Sequence, residues 1–364
     1  MSGTTIVTGA TGYLGGRLAA SELLAGRRVI ALVRAEDHLH LRRRRRELEE
    51  RLGAIAPRLV TWAWEPEQPP ALPAALTADV DRVVHAAAVT RFDVSLDEAT
   101  RGNVVPTEQL LASCHELPAL QRFVYLSSIH ASGLSEGELP EEPIFDRPDF
   151  ANHYEWSKWQ GERLVIGSGL PWTIARVGTV TCDDDEGRVV QRNAFHLCLR
   201  LLHGGLLSTL PGRAEVRPSL VSGDLVVRCL ARLLEQCRPG HVHHLVTPWD
   251  DGLELGELVD LIGRSLRDDA LARSRAVAPP SLIDRGAWEA LQLAAADLDG
   301  SVLQHATRAL APFAAQLFID RRPRTDSLST LPPELLGPPA RELVPRTLEN
   351  LWRPAASPSL ERTA

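Results

Sequence analysis

Three glycines near the start of the chain constrain its fold more than any other feature. Gly9, Gly12 and Gly15 stand between "TTIVT" and "GGRLAASELLAG". The first of these runs reads as a strand and the second as a helix ending at Gly26. Strand, glycine turn and helix in that order make the opening of a βαβ unit. In such a turn the first glycine allows the tight bend, and the second lets backbone approach a ligand's pyrophosphate. The third lets the helix pack closely on the strand. The helix start also offers free N–H groups and a positive dipole end to phosphates. Thr8, Gly9, Thr11, Gly12, Tyr13, Leu14 and Gly15 are therefore candidate residues of a dinucleotide cradle.

The alternation continues through the first half of the chain. "RVIALVR" is a strand, "LHLRRRRRELEERLGAI" a charged helix and "RLVTWAW" a strand, followed by a Pro/Ala-rich loop at 66–78. "DRVVHAAAV" is the next strand, then comes a helix from about 104 to 117, and then the strand "RFVYLSSI". A helix carrying "YEWSK" leads to a sixth strand, "PWTIARVGTV". Near-continuous apolar strands like these belong in a parallel sheet buried on both faces. The expected fold is α/β: a Rossmann-like, doubly wound parallel sheet with a smaller, mainly helical carboxy-terminal region. The rhythm changes after about residue 180. We therefore assign 1–180 to the dinucleotide-binding domain, with 215–250 returning to it. Residues 181–214 and 251–352 form a capping, substrate-binding region, and 353–364 a disordered tail. Phe195, His196 and Leu199 lie at helical spacing, which suits a pocket wall or a core face equally.

The tip of the second strand bears on the choice of cofactor. An NAD site usually has a carboxylate there for the ribose 2′-OH. This chain has Arg34, with no acid before Glu36, which favours a 2′-phosphate and hence NADP(H). The run of five arginines at 42–46 is followed by Glu47, Glu49 and Glu50. Pairing at i, i+4 along a solvated helix explains most of it, with a cofactor-phosphate role open to one arginine. A net charge of −7 argues against nucleic acid as a partner. No apolar run reaches the ~20 residues of a membrane span, and the amino terminus lacks the regions of a signal peptide. The five cysteines (Cys114, Cys182, Cys198, Cys229 and Cys237) show no C-x-x-C pair, as expected of reduced thiols in the cytoplasm. "HVHH" at 241–244 has no nearby carboxylate or cysteine cluster, so no metal is expected there.

Tyr154 and Lys158 stand one turn apart on one helix face. An ammonium beside a phenol, with a nicotinium ring close by, lowers the phenol's pKa from ~10, which would suit Tyr154 to proton transfer at a carbonyl oxygen. Ser128 ends a strand, where an open sheet presents its ligand crevice. His130, just beyond it, could reach a substrate but reads first as a loop residue, and Trp62 and Trp64, either of which could stack near adenine, read first as core.

Together "TGATGYLG" (8–15), "HAAA" (85–88), Asn103, "YLSS" (125–128) and the Tyr154/Lys158 pair resemble the extended short-chain dehydrogenase/reductases. "HAAAVTRFDVSLDEATRGNVVPTEQLL", "NHYEWSKWQGERLV" and "PSLVSGDLVVRCL" are similar to the fatty acyl-CoA reductases and thioester reductase domains within that family. The resemblance implies Ser128, Tyr154 and Lys158 as catalytic residues, with Ser128 rather than Ser127 facing the site. It implies Ala86, Ala87, Asn103 and Lys158 on the cofactor side, with Asn103 as a structural asparagine. The expected activity is NADPH-dependent hydride transfer to a carbonyl. The substrate would be a CoA or carrier-bound acyl thioester, reduced to aldehyde or alcohol, with an acyl-carrier protein as partner. Ketone or alcohol redox chemistry, or nucleotide-sugar epimerisation or dehydration, would use the same residues. A non-catalytic NADP(H) sensor would keep the glycine loop but typically lose the Tyr/Lys pair. Relatives act as monomers or homodimers.

Overall fold

The structure is a computed structural model in which residues 3–352 are described, so the expected tail at 353–364 lies outside them. The chain divides into two compact units. One holds the residues up to Gly178 together with Leu225–Val246 and Arg322–Leu336. The other holds Thr179–Asp224, Thr247–Arg321 and the described residues from Gly337 onward.

The first unit is built on seven parallel strands: β1 (Thr4–Thr8), β2 (Arg28–Val33), β3 (Leu59–Ala63), β4 (Val80–His85), β5 (Arg122–Ser128), β6 (Trp172–Val177) and β7 (His241–Leu245). Their order across the sheet is β7-β6-β5-β4-β1-β2-β3. The winding reverses between β1 and β4, and an open α/β sheet binds ligands at such a switch point, beyond the carboxyl ends of the strands. Four of the helices packed on this sheet are α1 (Tyr13–Leu24), α2 (His38–Leu52), α3 (Val105–Cys114) and α4 (His153–Gly167). The doubly wound α/β fold expected from the strand rhythm is the one observed. Ile6, Ile30, Val83, Phe123 and Ile174 are buried in one core cluster, as continuous apolar strands require. Trp64 is buried as well, and its indole N–H donates to the Gln68 carbonyl at 2.8 Å.

Three boundaries differ from the sequence reading. β4 stops at His85, so the three alanines after it form the loop at the switch point instead of extending the strand. The helix expected from about 104 is preceded by a π turn at Thr100–Val104 and ends at Cys114. The run "PWTIARVGTV" divides at Gly178. The Gly178 amide donates to Leu245, and the next amide, that of Thr179, donates to Ser219. Thr179–Cys182 then pairs in parallel with Leu220–Ser222, so a backbone change of partner, invisible to local pattern, ends the strand.

In the second unit the helices Ala194–His203, Leu255–Asp268, Val302–Ala314 and Ala340–Trp352 contribute to a separate core that includes Leu199, Leu202, Ile262, Leu310 and Val344. Leu199 is buried there and Phe195 packs against it. The His196 ring lies 2.8 Å from the Thr181 carbonyl through Nε2 and 3.0 Å from the Asn193 side chain through Nδ1. Of the two readings for these three residues, the structure supports the core face.

Candidate active site

The glycine loop sits at the switch point. Gly9 has φ +70°, a left-handed conformation that favours glycine. A Cβ there would also lie 2.7 Å from the Ala87 amide nitrogen, so the loop is pressed against the end of β4. A Cβ on Gly15 would overlap the Gly9 carbonyl, which is the close helix–strand packing the motif predicts. Gly12 stands at the N-cap of α1 and no side chain caps that helix. The first-turn amides thus retain the donors and dipole end that suit a pyrophosphate. The cradle fits a dinucleotide on this geometry.

Two arginines of α2 reach back to this loop. Arg51 donates to the Ala10 carbonyl at 2.7 Å and to the Thr11 carbonyl at 3.3 Å. Arg44 lies 3.4 Å from the Thr11 hydroxyl, and its Nε donates to His40 Nε2 at 3.2 Å. Other arginines of the run behave as the sequence suggested: Arg45 pairs with Glu49 at 2.6 Å and Arg43 with Glu47 at 3.9 Å, both exposed. Arg34 is exposed just past β2. Sequence reasoning missed Arg51 and left open which arginine of the run faces the loop. The available signal was their spacing around the buried Leu48, since positions 44, 48 and 51 share one helix face.

A buried polar chain joins the loop to α4. The Thr107 hydroxyl donates to the Asn103 carbonyl at 2.6 Å, so Thr107 Oγ1 accepts from His85 Nε2 at 3.0 Å. His85 Nδ1 is then the acceptor, and the Thr8 hydroxyl donates to it at 2.7 Å while accepting from the Ala87 amide at 3.1 Å. This assignment suits a neutral ring, and burial, helped by the charge of Lys158, lowers the His85 pKa to about 3. Asn103 donates to the Val89 carbonyl and to the Ser157 hydroxyl, and accepts from the Val89 amide. Ser157 in turn donates to the Tyr154 carbonyl at 2.8 Å. Thr8 and Asn103, both grouped with the cofactor residues, therefore spend these side-chain bonds inside the protein. Asn103 fastens the chain after β4 to the helix bearing Tyr154.

Ser128, Tyr154 and Lys158 come together at the carboxyl end of β5. Asn152 caps α4 by accepting from the Glu155 amide at 3.0 Å, which sets Tyr154 in the first turn. Tyr154 is 7% exposed and hydrogen-bonds Ser128. Ser127 is committed elsewhere, donating to Glu162 at 2.6 Å. Lys158, 3% exposed, donates to the Leu126 carbonyl at 2.7 Å and lies 4.6 Å from the Tyr125 ring centre.

The electrostatics depart from the sequence expectation. Burial pushes the Tyr154 phenol up to about 12, partly offset by the Ser128 hydrogen bond. Burial also lowers Lys158 to about 8, against the pull of Glu162. The lysine is engaged with backbone and the Tyr125 ring, and the desolvation of Tyr154 outweighs any depression of its pKa. A phenol held in its protonated form suits proton donation.

Two further side chains adjoin these residues. The Phe92 ring packs edge-on against Tyr154, with ring centres 5.3 Å apart, and edge-on against His130 at 5.4 Å. The His130 amide donates to Ser128 Oγ at 3.3 Å. His130 is thus part of the cluster around the triad, beyond the plain loop role read from the sequence.

Residues 69–230 match the family model of the male sterility protein, an NAD-binding family. A 4-hydroxy-2-methyl-3-oxo-4-farnesyl-3,4-dihydroquinoline-1-oxide ketoreductase from Stigmatella aurantiaca is 30% identical over 192 residues, or 51% of this chain and 53% of the relative. A carboxylic acid reductase from Mycobacterium marinum is 24% identical over 319 residues, which cover 72% of this chain and 26% of that protein. The chain thus spans about half of one curated relative and a quarter of the other. Among solved structures, the terminal R domain of a myxalamid PKS-NRPS pathway superposes with a TM-score of 0.75 at 23% identity, covering 96% of this chain and 91% of that one. The family match lies on the sheet that carries this site, and over that stretch the chain is similar to NAD-binding proteins and to relatives named as reductases.

Proposed function

We propose that the protein is an NADPH-dependent reductase that acts on an acyl thioester, bound to CoA or to a carrier protein, and forms aldehyde or alcohol. The observation that carries this reading is the convergence of Ser128, Tyr154 and Lys158 at the end of β5, joined to the glycine loop by the His85–Asn103 chain. The names of two similar proteins, a carboxylic acid reductase and a terminal R domain, support the substrate class.

When bound, the reduced nicotinamide supplies the hydride. Ser128 holds the carbonyl oxygen by hydrogen bonding, and Tyr154, protonated well past neutrality, gives that oxygen its proton. Lys158 keeps a positive charge beneath the site below about pH 8. The oxygen of the resulting hemithioacetal returns its proton to the Tyr154 phenolate as the carbon–sulfur bond breaks. No cysteine nucleophile is needed, in keeping with thiols such as Cys114 and Cys198, which burial pushes up to about 12. A ketone substrate is the second reading, favoured by the name of the 30% identical relative.

The test is NADPH consumption with a CoA or carrier thioester, an aldehyde and a ketone in parallel, with aldehyde and free thiol measured as products. Thioester turnover supports the reading, and turnover with the ketone alone overturns it. The cofactor preference rests on Arg34 and Arg44. Arg34→Ala and Arg44→Ala should each weaken NADPH binding by about 10- to 100-fold, the loss of a charge-assisted hydrogen bond. NADH affinity should stay near wild type. Equal losses for both cofactors in a fluorescence titration would remove the 2′-phosphate role.

A further inference from the structure

We propose that His130 is a second acid of this site and protonates the sulfur that leaves when the thioester is reduced. This rests on the thioester reading above.

The collapse of a hemithioacetal moves two protons at two different atoms. The hydroxyl must lose its proton as the carbonyl re-forms, and the Tyr154 phenolate, having just donated that proton, takes it back. The electron pair of the breaking carbon–sulfur bond goes to sulfur. Tyr154 is accepting at that moment and so cannot also supply the sulfur. A proton delivered to sulfur from an imidazolium gives free thiol and neutral imidazole, and the residue, which is only partly buried, recovers its proton from solvent. A thiolate shed in a buried site is penalised by desolvation, so a local donor lowers the barrier even for a thiol of ordinary acidity.

The placement of His130 suits this task. Its amide is tied to Ser128 Oγ at 3.3 Å, which fixes the residue beside the group that holds the substrate oxygen. Its ring and that of Tyr154 meet Phe92 edge-on, at 5.4 Å and 5.3 Å. One phenyl ring thus spaces an imidazole from the phenol, so two proton carriers flank Ser128 without competing for one atom. The imidazole is also the side chain best able to hold and release a proton near neutral pH.

The experiment compares two thioesters of one acyl group in single turnover, one releasing an alkanethiol such as pantetheine and one releasing thiophenol, with free thiol read by a chromogenic thiol reagent. Thiophenolate is a stable anion and leaves without a proton. His130→Gln should lower the alkyl-to-aryl ratio of thiol-release rates by at least about tenfold, the low end of a general acid's contribution being larger still. External imidazole should raise that ratio again in His130→Ala. Equal losses on both esters, or an unchanged ratio, would overturn the proposal. A wild-type enzyme that reduces ketones and releases no thiol from either ester would overturn the thioester reading itself, and this role with it.

Discussion

Replacing Tyr154 by Phe should lower the turnover number for carbonyl reduction by a factor of about 10²–10⁴, the usual contribution of a positioned general acid. The ring would keep its edge-on packing against Phe92. The fold would lose one hydrogen bond to Ser128, worth about 0.5–1.5 kcal/mol. NADPH affinity and the thermal transition should therefore change little while turnover collapses. A variant that keeps more than a tenth of the wild-type turnover would remove Tyr154 from the proton-transfer role. The pH profile gives an independent check. Because the phenol is held up to about 12, it remains protonated across the working range. Of the two groups Tyr154 and Lys158 that serve hydride transfer to the carbonyl, Lys158, lowered to about 8, is the first to lose a proton on the alkaline side. Reduction should fall as pH rises through about 8, since the charged ammonium is the form below that value. Lys158→Arg, which cannot deprotonate in this range, should move the limb to higher pH. A limb that stays in place assigns it to another group.

The second large effect concerns stability. Arg176 is 0% exposed and holds Glu162 with two bonds, 2.9 Å from Nε and 2.8 Å from Nη2. It also reaches the Glu142 carbonyl at 3.0 Å and His244 Nε2 at 3.2 Å. His244 passes the bonding on, its Nδ1 lying 2.8 Å from the Arg324 carbonyl. Glu141 closes the set by accepting from the His244 amide and from Ser327. Glu162→Leu alone should destabilise the protein by about 3–5 kcal/mol, because it leaves the guanidinium buried and uncompensated. The pair Glu162→Leu with Arg176→Met should cost much less than the sum of the single changes, since an apolar pair of similar volume removes both desolvation penalties. Chemical denaturation of the four proteins reads the coupling, and additive losses would show that the two charges do not act as a pair. Glu162 lies two turns along α4 from Tyr154 and bonds both Ser127 and Arg176, so the same lock holds that helix against β5 and β6.

The sequence alone determined what repeats at short range. Buried parallel strands announce themselves as continuous apolar runs, the glycine turn as a spacing of three, and the Tyr154–Lys158 face as a spacing of four. Each depends only on the period of one element. Tertiary structure decided whatever required distant segments to meet. It chose Arg44 and Arg51 from a helix rich in arginines, since only packing shows which side of α2 meets the glycine loop. It set Ser127 against Glu162 and left Ser128 to Tyr154. It placed Arg322–Leu336 with the first unit through bonds to residues 80 and 186 positions away, for which no local pattern exists. It also set burial against neighbouring charge at the Tyr154 phenol, and in the protein alone burial raises that pKa. Adjacency in sequence speaks of a neighbouring charge, whereas desolvation depends on how much of the folded chain surrounds the phenol.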